Sequence, residues 1–241
     1  MAANNFSNHL EAYYHRIKQN RWYWLFFVLC RILLAYAFIV AGFVKIIDER
    51  FASGLAEVHP MGAYLEALHH TGYYYTFIGY AQVLAGIFLL IPNLVHLGAL
   101  IYLPILLNIC ILSWSVRFEG SLVTSTLMVL ANLYLLAWNY DKFKFLLPFS
   151  TYYKEVTLKK PEKFDSKFPV LFFFSVLAVS ALVLGVATKG FEVTPRNSYK
   201  DCVSQFQDPN LLEAGEMFCS CIHQTGNPLQ VCVNQFEEIK K

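Results

Sequence analysis

The sequence predicts an all-α membrane protein: a polytopic four-helix bundle, a fifth transmembrane helix, and a small disulfide-stapled helical domain outside the membrane. Three observations predict it. The 241 residues are 56% hydrophobic and only 15% charged, with a mean hydropathy of +0.43, whereas soluble domains are roughly half apolar and about a quarter charged. Five segments approach the length of about 20 apolar residues that a helix needs to cross the hydrocarbon core. Four of the six cysteines, Cys202, Cys219, Cys221 and Cys232, fall in the last forty residues.

The elements follow in chain order. Residues 1–21 are polar and lack an apolar core with a small-residue cleavage site, so no removable signal is expected and the first span stays as an anchor. Trp22–Val44, Tyr73–Ile91, Leu94–Val116 and Phe168–Ala187 read as spans, and Ser121–Trp138 is slightly short but uniformly apolar except at Asn132. Trp22, Tyr23 and Trp24, the Tyr73–Tyr75 run, and Trp138 with Tyr140 mark span ends at interfacial depth. Pro92 and Asn93 link the second and third spans tightly, and Pro104 falls inside the third. The chain thus divides into a polar segment at 1–21, a bundle at 22–147, a basic linker at 148–167, the fifth span at 168–188 and a mini-domain at 189–241.

Orientation follows from lysine and arginine in the short loops. Arg16, Lys18 and Arg21 precede the first span, and Lys142, Lys144, Lys154, Lys159, Lys160, Lys163 and Lys167 lie between the fourth and fifth. With five spans these segments share one side, which the positive-inside rule makes cytoplasmic. Residues 143–160 mix lysine with Phe, Leu and Tyr and are expected to hug an anionic leaflet. The loop from Asp48 to Thr71, with one arginine against four acids, and the tail after Gly190 then lie outside. Within that loop Met61, Tyr64, Leu65 and Leu68 recur at helical period, which predicts an amphipathic helix on the membrane surface. His59, His69 and His70 flank it at headgroup level, without the carboxylate or cysteine spacing of a zinc site.

Cysteine usage supports the same sidedness, because disulfides need an oxidising compartment. Thr194-Pro195, Asp208-Pro209 and Asn227-Pro228 each place a capping side chain before a proline, predicting three helix starts. Gly226 can end the second helix in a left-handed conformation. So small a domain needs staples. Cys219 and Cys221 point about 200° apart on a helix, so each is placed to bridge a flanking helix. Two bonds are expected, Cys202 to one of the pair and Cys232 to the other. The competing reading makes Cys219 and Cys221 a redox pair, although active dithiols are usually C-x-x-C at a helix N-terminus.

Ionisable and amide groups within spans are candidate functional residues. Arg31 lies roughly 12 Å into the first span at 1.5 Å per residue, and either snorkels to the cytoplasmic headgroups or turns inward. Lys45 is expected at the outer interface. Gln82, Asn108 and Asn132 either bond helix to helix or join Arg31 in a shared polar pocket. Cys30 and Cys110 read as small apolar fillers. Nothing resembles a nucleotide-binding glycine motif, an internal repeat or a nucleic-acid patch.

Arg31, Gly42 and Lys45 in the run RILLAYAFIVAGFVK, the glycine-flanked polar residue of GYAQVLAGIFLLI, and the aromatic–Asp stretch AWNYDKF together resemble the DoxX family of small bacterial membrane proteins. The resemblance spans about residues 22–147. It implies a four-helix bundle in a bacterial inner membrane, among proteins described as subunits of quinone-linked sulfur oxidoreductases or parts of membrane redox-stress complexes. Arg31 and Lys45 match the family's basic positions. Gln82 stands where many members have Glu, which removes an Arg–carboxylate pair and weakens a proton-coupled mechanism. The fifth span and cysteine-rich tail lie outside the family pattern.

Two functions are compatible with this reading. The first is an accessory or scaffold protein, not an enzyme, whose external domain docks a protein partner in the periplasm. The alternative is a quinone-linked redox protein with the quinone near Arg31, Gln82, Asn108 and Asn132, and with thiol–disulfide or sulfur-compound chemistry. A transporter is disfavoured, since the spans hold no acidic residue and no inverted repeat.

Overall fold

The structure, a computed structural model, describes residues 13–14, 16–143 and 165–240. Ten helices are assigned among them: α1 (Arg21–Ile46), α2 (Pro60–His69), α3 (Tyr73–Leu90), α4 (Val95–Ser115), α5 (Glu119–Trp138), α6 (Tyr140–Phe143), α7 (Val170–Lys189), α8 (Tyr199–Ser204), α9 (Pro209–His223) and α10 (Leu229–Lys240). Five of these, α1, α3, α4, α5 and α7, are long and apolar enough to cross a membrane. Their bounds fall within two residues of the sequence expectation at each end. The chain is a multi-pass, all-α membrane protein. Lys144, Lys154, Lys159, Lys160, Lys163 and most of the basic linker lie outside the described residues.

One end of the bundle, the near end, is fixed where the chain enters α1 and α7. Asn20 accepts from the Trp22 amide through its side chain, capping α1, and donates through Nδ2 to the Lys167 carbonyl at 2.7 Å. Asn20 and Asp165 form a parallel bridge, with Arg21 N–H on Asp165 O at 2.9 Å and Asp165 N–H on Gln19 O at 2.8 Å. The starts of α1 and α7 therefore lie together.

Small residues decide which helices pack most closely. A Cβ on Gly42 would sit 2.6 Å from the Gly79 carbonyl oxygen, and one on Gly79 would sit 2.8 Å from that of Gly42, so α1 and α3 touch backbone to backbone. Around this crossing the core contains Leu34, Ala35, Phe38, Ala85, Leu89, Ala99, Tyr102, Leu106 and Leu135. Phe38 and Tyr102 stack within it. α5 packs on α4 and α1, and α7 packs on α5. The outward faces are studded with Leu33, Tyr36, Phe77, Ile111, Leu171 and Phe174, an apolar belt that lipid covers.

At the far end α1 and α4 stop alike. Asp48 (φ 61°) and Arg117 (φ 52°) take the left-handed conformation, and the next amides, Glu49 and Phe118, reach back to Val44 O and Ser113 O. Both are Schellman endings, built here without glycine. The helix expected on the membrane surface behaves differently. Met61 and Leu65 of α2 pack on Leu55, Leu112, Val116 and Phe118, so α2 covers the far end of the bundle. The apolar side chains at the bundle mouth take up α2's stripe. Arg50, the loop's single arginine, organises the approach: Nη1 pairs with Glu66 at 3.0 Å, and Nη2 donates to Ser53 O and Leu55 O.

The tail is a helical unit with its own core of Val193, Phe206, Ala214, Phe218, Ile222, Val233 and Phe236 around four cysteines. The expected start at Thr194-Pro195 is corrected. α8 begins after Ser198, whose hydroxyl accepts from the Asp201 amide, because Arg196 at φ 51° breaks the backbone in between. Thr194 is instead held by Gln205, which accepts from its N–H and donates to its carbonyl. α9 starts at Pro209, as expected. α10 starts one residue past Pro228. Gly226 is left-handed at φ 65°.

Candidate functional site

The far end carries the densest polar chemistry. The tail domain sits on the bundle there through several contacts, among them Trp114 of α4 against Phe191. Arg196 pairs with Glu119 at the start of α5. Arg117 donates to Val193 O at 2.8 Å and lies over the Phe191 ring. His59 faces His223 with ring centroids 5.9 Å apart. Gly226 lies under Val58. A cleft of about 390 Å³ opens at this junction, walled by Glu119 and Thr188 on one side and by Arg196, Gln205, Phe206 and Phe236 on the other.

His59 is the least expected member. It is fully buried and forms the N-cap of α2: its Nδ1 accepts from the Met61 amide at 3.1 Å, with Pro60 at the first helical position. With Nδ1 as acceptor, the ring hydrogen resides on Nε2, which among the described residues meets no partner at full hydrogen-bond geometry, the Arg196 backbone being the group that faces it. Burial, reinforced by His223, pushes the imidazole down to about 4. His223 in turn bonds Pro195 O through Nε2 at 2.7 Å. His69 and His70 turn to Asp48 and Glu66. Among the described residues, no cluster of three or more His, Cys, Asp or Glu side chains is gathered as for a metal ion.

The cysteines form Cys202–Cys219 and Cys221–Cys232. This is the expected pattern, in which each member of the Cys219/Cys221 pair bridges a flanking helix. All four are buried.

The polar residues within the spans are not drawn into one pocket. Arg31 donates through Nε to Leu89 O at 2.8 Å and through Nη2 to Leu90 O at 2.9 Å. It thereby satisfies carbonyls that the end of α3 leaves free, with its guanidinium over Phe27. Gln82 is buried, and among the described residues its Oε1 meets no partner. Asn132 is buried and donates to Ala99 O at 3.0 Å across to α4, and among the described residues its Oδ1 likewise meets none. Asn108 is exposed on the outer face of α4. Among the described residues no hydrogen bond joins any two of the four. Lys45, expected at the interface, is buried: its Nζ donates to Ala41 O and lies over the Phe51 and Tyr75 rings. Of the two remaining cysteines, Cys110 lies near Thr126 and Cys30 is buried in the bundle. Cys30 also lines a separate apolar groove of about 420 Å³ between α1, α5 and α7, together with Phe26, Leu33, Met128, Tyr134 and Phe172.

A second cluster escaped the sequence reading. At the near end Asp141 accepts from Tyr14 Oη and from Lys18 Nζ, each at 2.8 Å. Burial would raise its carboxyl, but Lys18 and Tyr14 outweigh it and hold the group below the usual carboxylate range. The aromatic–Asp run AWNYDKF had marked this position, but no spacing rule pointed to partners more than a hundred residues away.

The chain is similar to the uncharacterized protein YwoB of Bacillus subtilis (strain 168), with 31% identity over 121 residues, which is 48% of this chain and 77% of the relative. No family model and no solved structure matches.

Proposed function

The chain belongs to the family of the Bacillus subtilis protein YwoB, and from that premise and the far-end geometry we propose that it is a membrane scaffold or accessory protein that presents its disulfide-stapled domain to a protein partner. The observation that carries this reading is the state of the cysteines. All four tail sulfurs are committed to two buried disulfides, inside a unit with its own core that is fastened to the bundle by Arg196–Glu119 and Arg117–Val193. Such a unit suits binding better than electron transfer, because structural disulfides resist reduction while reactive thiols are accessible and low in pKa.

The setting belongs to the same proposal. Lysine and arginine around the near end and disulfides at the far end favour a cytoplasmic near end and an oxidising compartment beyond the far end. The DoxX-like pattern supports reading the membrane as a bacterial inner membrane and the compartment as the periplasm.

A quinone-linked redox protein is the second reading. The observation favouring it is the apolar groove between α1, α5 and α7, which opens at membrane depth and is lined by Tyr134 and Cys30. The test is the thiol state of native protein in membranes, read by alkylation mass shift with and without a reduced quinone. Four tail cysteines that stay oxidised throughout support the scaffold. Cycling of Cys219 and Cys221 with quinone would replace it with the redox reading.

A further inference from the structure

We propose that the His59–His223 contact is a proton-operated latch, which holds the stapled domain on the far end of the bundle near neutral pH and releases it in acid. The latch does not depend on what the domain docks. Its geometry leaves no place for a second proton. His59 has one acceptor nitrogen in its neutral form, and that nitrogen already takes the Met61 amide hydrogen. A proton added at Nδ1 would face an N–H, removing the cap of α2 and placing a full charge on a side chain with no solvent exposure.

Among the described residues only the Arg196 backbone favours that charge, and burial and His223 outweigh it. From the tail domain the ring meets another imidazole, His223, and the backbone at Arg196; Tyr199 stands behind His223. From the turn before α5 it meets the Phe118 ring. Glu119, the adjacent carboxylate on that element, is held by Arg196. On its own segment the backbone contacts are Ala56 O, accepting from the His59 amide, and the Ala63 amide. Separating the tail domain from the loop is the way to hydrate an imidazolium here. The junction is therefore closed when His59 is neutral and opens when it is charged.

Burial and His223 hold the closed-state imidazole at about 4, against about 6.5 for a free histidine. The closed form thus binds fewer protons throughout the interval between these values, and acid favours opening there. Linkage gives an increase in the opening equilibrium of roughly 30-fold between pH 7.5 and pH 5.0.

The experiment is amide hydrogen exchange of the full-length protein in lipid nanodiscs at both pH values, corrected for intrinsic exchange. Wild type is expected to lose protection in 56–63 and 193–198 on acidification, while the α1–α3 crossing keeps it. His59→Asn keeps an N-capping oxygen without a titrating ring, and its protection should be the same at both pH values. A flat wild-type profile, an acid loss that persists in His59→Asn, or a loss that spreads into α1 would overturn the latch. Should His59→Asn be unprotected at both pH values, His223→Gln decides. With the neighbouring imidazole gone the acid transition should survive and move to higher pH, and its disappearance would overturn the assignment to His59.

Discussion

Arg31 was open to two readings in the sequence, snorkelling or turning inward, and its surroundings supply a third answer. The guanidinium ends on Leu89 O and Leu90 O, where a helix terminus offers free carbonyls and negative partial charge. Arg31→Met should lower the unfolding free energy in detergent by about 1–3 kcal/mol by stranding those carbonyls. Arg31→Lys should recover only part, since one ammonium does not reproduce the planar two-donor fork. Equal stability of Arg31→Met and wild type would remove this role. Asp141 sets a separate acid sensitivity at the near end. Its carboxyl is held below the usual range by Lys18 and Tyr14, so the stabilisation is complete above about pH 4 and is lost as pH falls further. Acid should therefore act in two windows: at the far end through His59 between about 6.5 and 4, and at the near end only below that. Asp141→Asn should abolish the lower transition in a near-ultraviolet dichroism titration and leave the upper one in place.

Among the elements, α1 and α3 depend on glycine for their approach. A methyl at Gly42 would stand 2.6 Å from a backbone oxygen, whereas one at Gly185 on α7 meets nothing within 4 Å among the described residues. Gly42→Ala should destabilise by about 1–3 kcal/mol through forced separation of the two helices. Gly185→Ala should be neutral or slightly stabilising, and thermal unfolding in a mild detergent compares the two. If Gly42→Ala matched Gly185→Ala, the backbone contact would not be what holds the pair. α2 shows where periodicity stops being informative. The pattern of Met61, Leu65 and Leu68 is the same whether the stripe faces lipid headgroups or the mouth of a bundle. Its placement was decided by Leu112, Val116 and Phe118, which arrive from α4 and the turn beyond. The start of α8 moved for a local reason, since Arg196 takes a left-handed backbone while its side chain reaches Glu119.

At the scale of the molecule, the tail is a small core held by two covalent loops, of sequence separation 17 and 11. Chain-entropy arguments assign each about 3 kcal/mol, a large share for a unit too small to bury an ample core. Replacing Cys202 and Cys219 together by Ser, or Cys221 and Cys232 together, should expose residues 199–240 to limited proteolysis while the bundle fragment stays intact. Proteolytic resistance in both double variants would mean that Phe206, Phe218, Ile222 and Phe236 suffice without staples.

The sequence by itself determined the five spans, the helical class and the separate cysteine-stapled unit in which Cys219 and Cys221 each bridge outward, while which of them takes Cys202 was left to the structure. Each of these follows from a local quantity: apolar run length, residue spacing along a helix, or the placement of cysteines in a short segment. Gln82, Asn108 and Asn132 were legible as polar residues at membrane depth, but their facing was not, and the structure sends Asn108 outward while burying the other two. The tertiary structure alone decided that Arg31 ends α3, that Lys45 lies buried over Phe51 and Tyr75, that α2 closes the bundle mouth, and that His59 meets His223. Those outcomes depend on which groups from distant parts of the chain arrive at the same place. A buried polar atom takes whatever partner packing brings to it, and no periodicity in the sequence encodes that arrival.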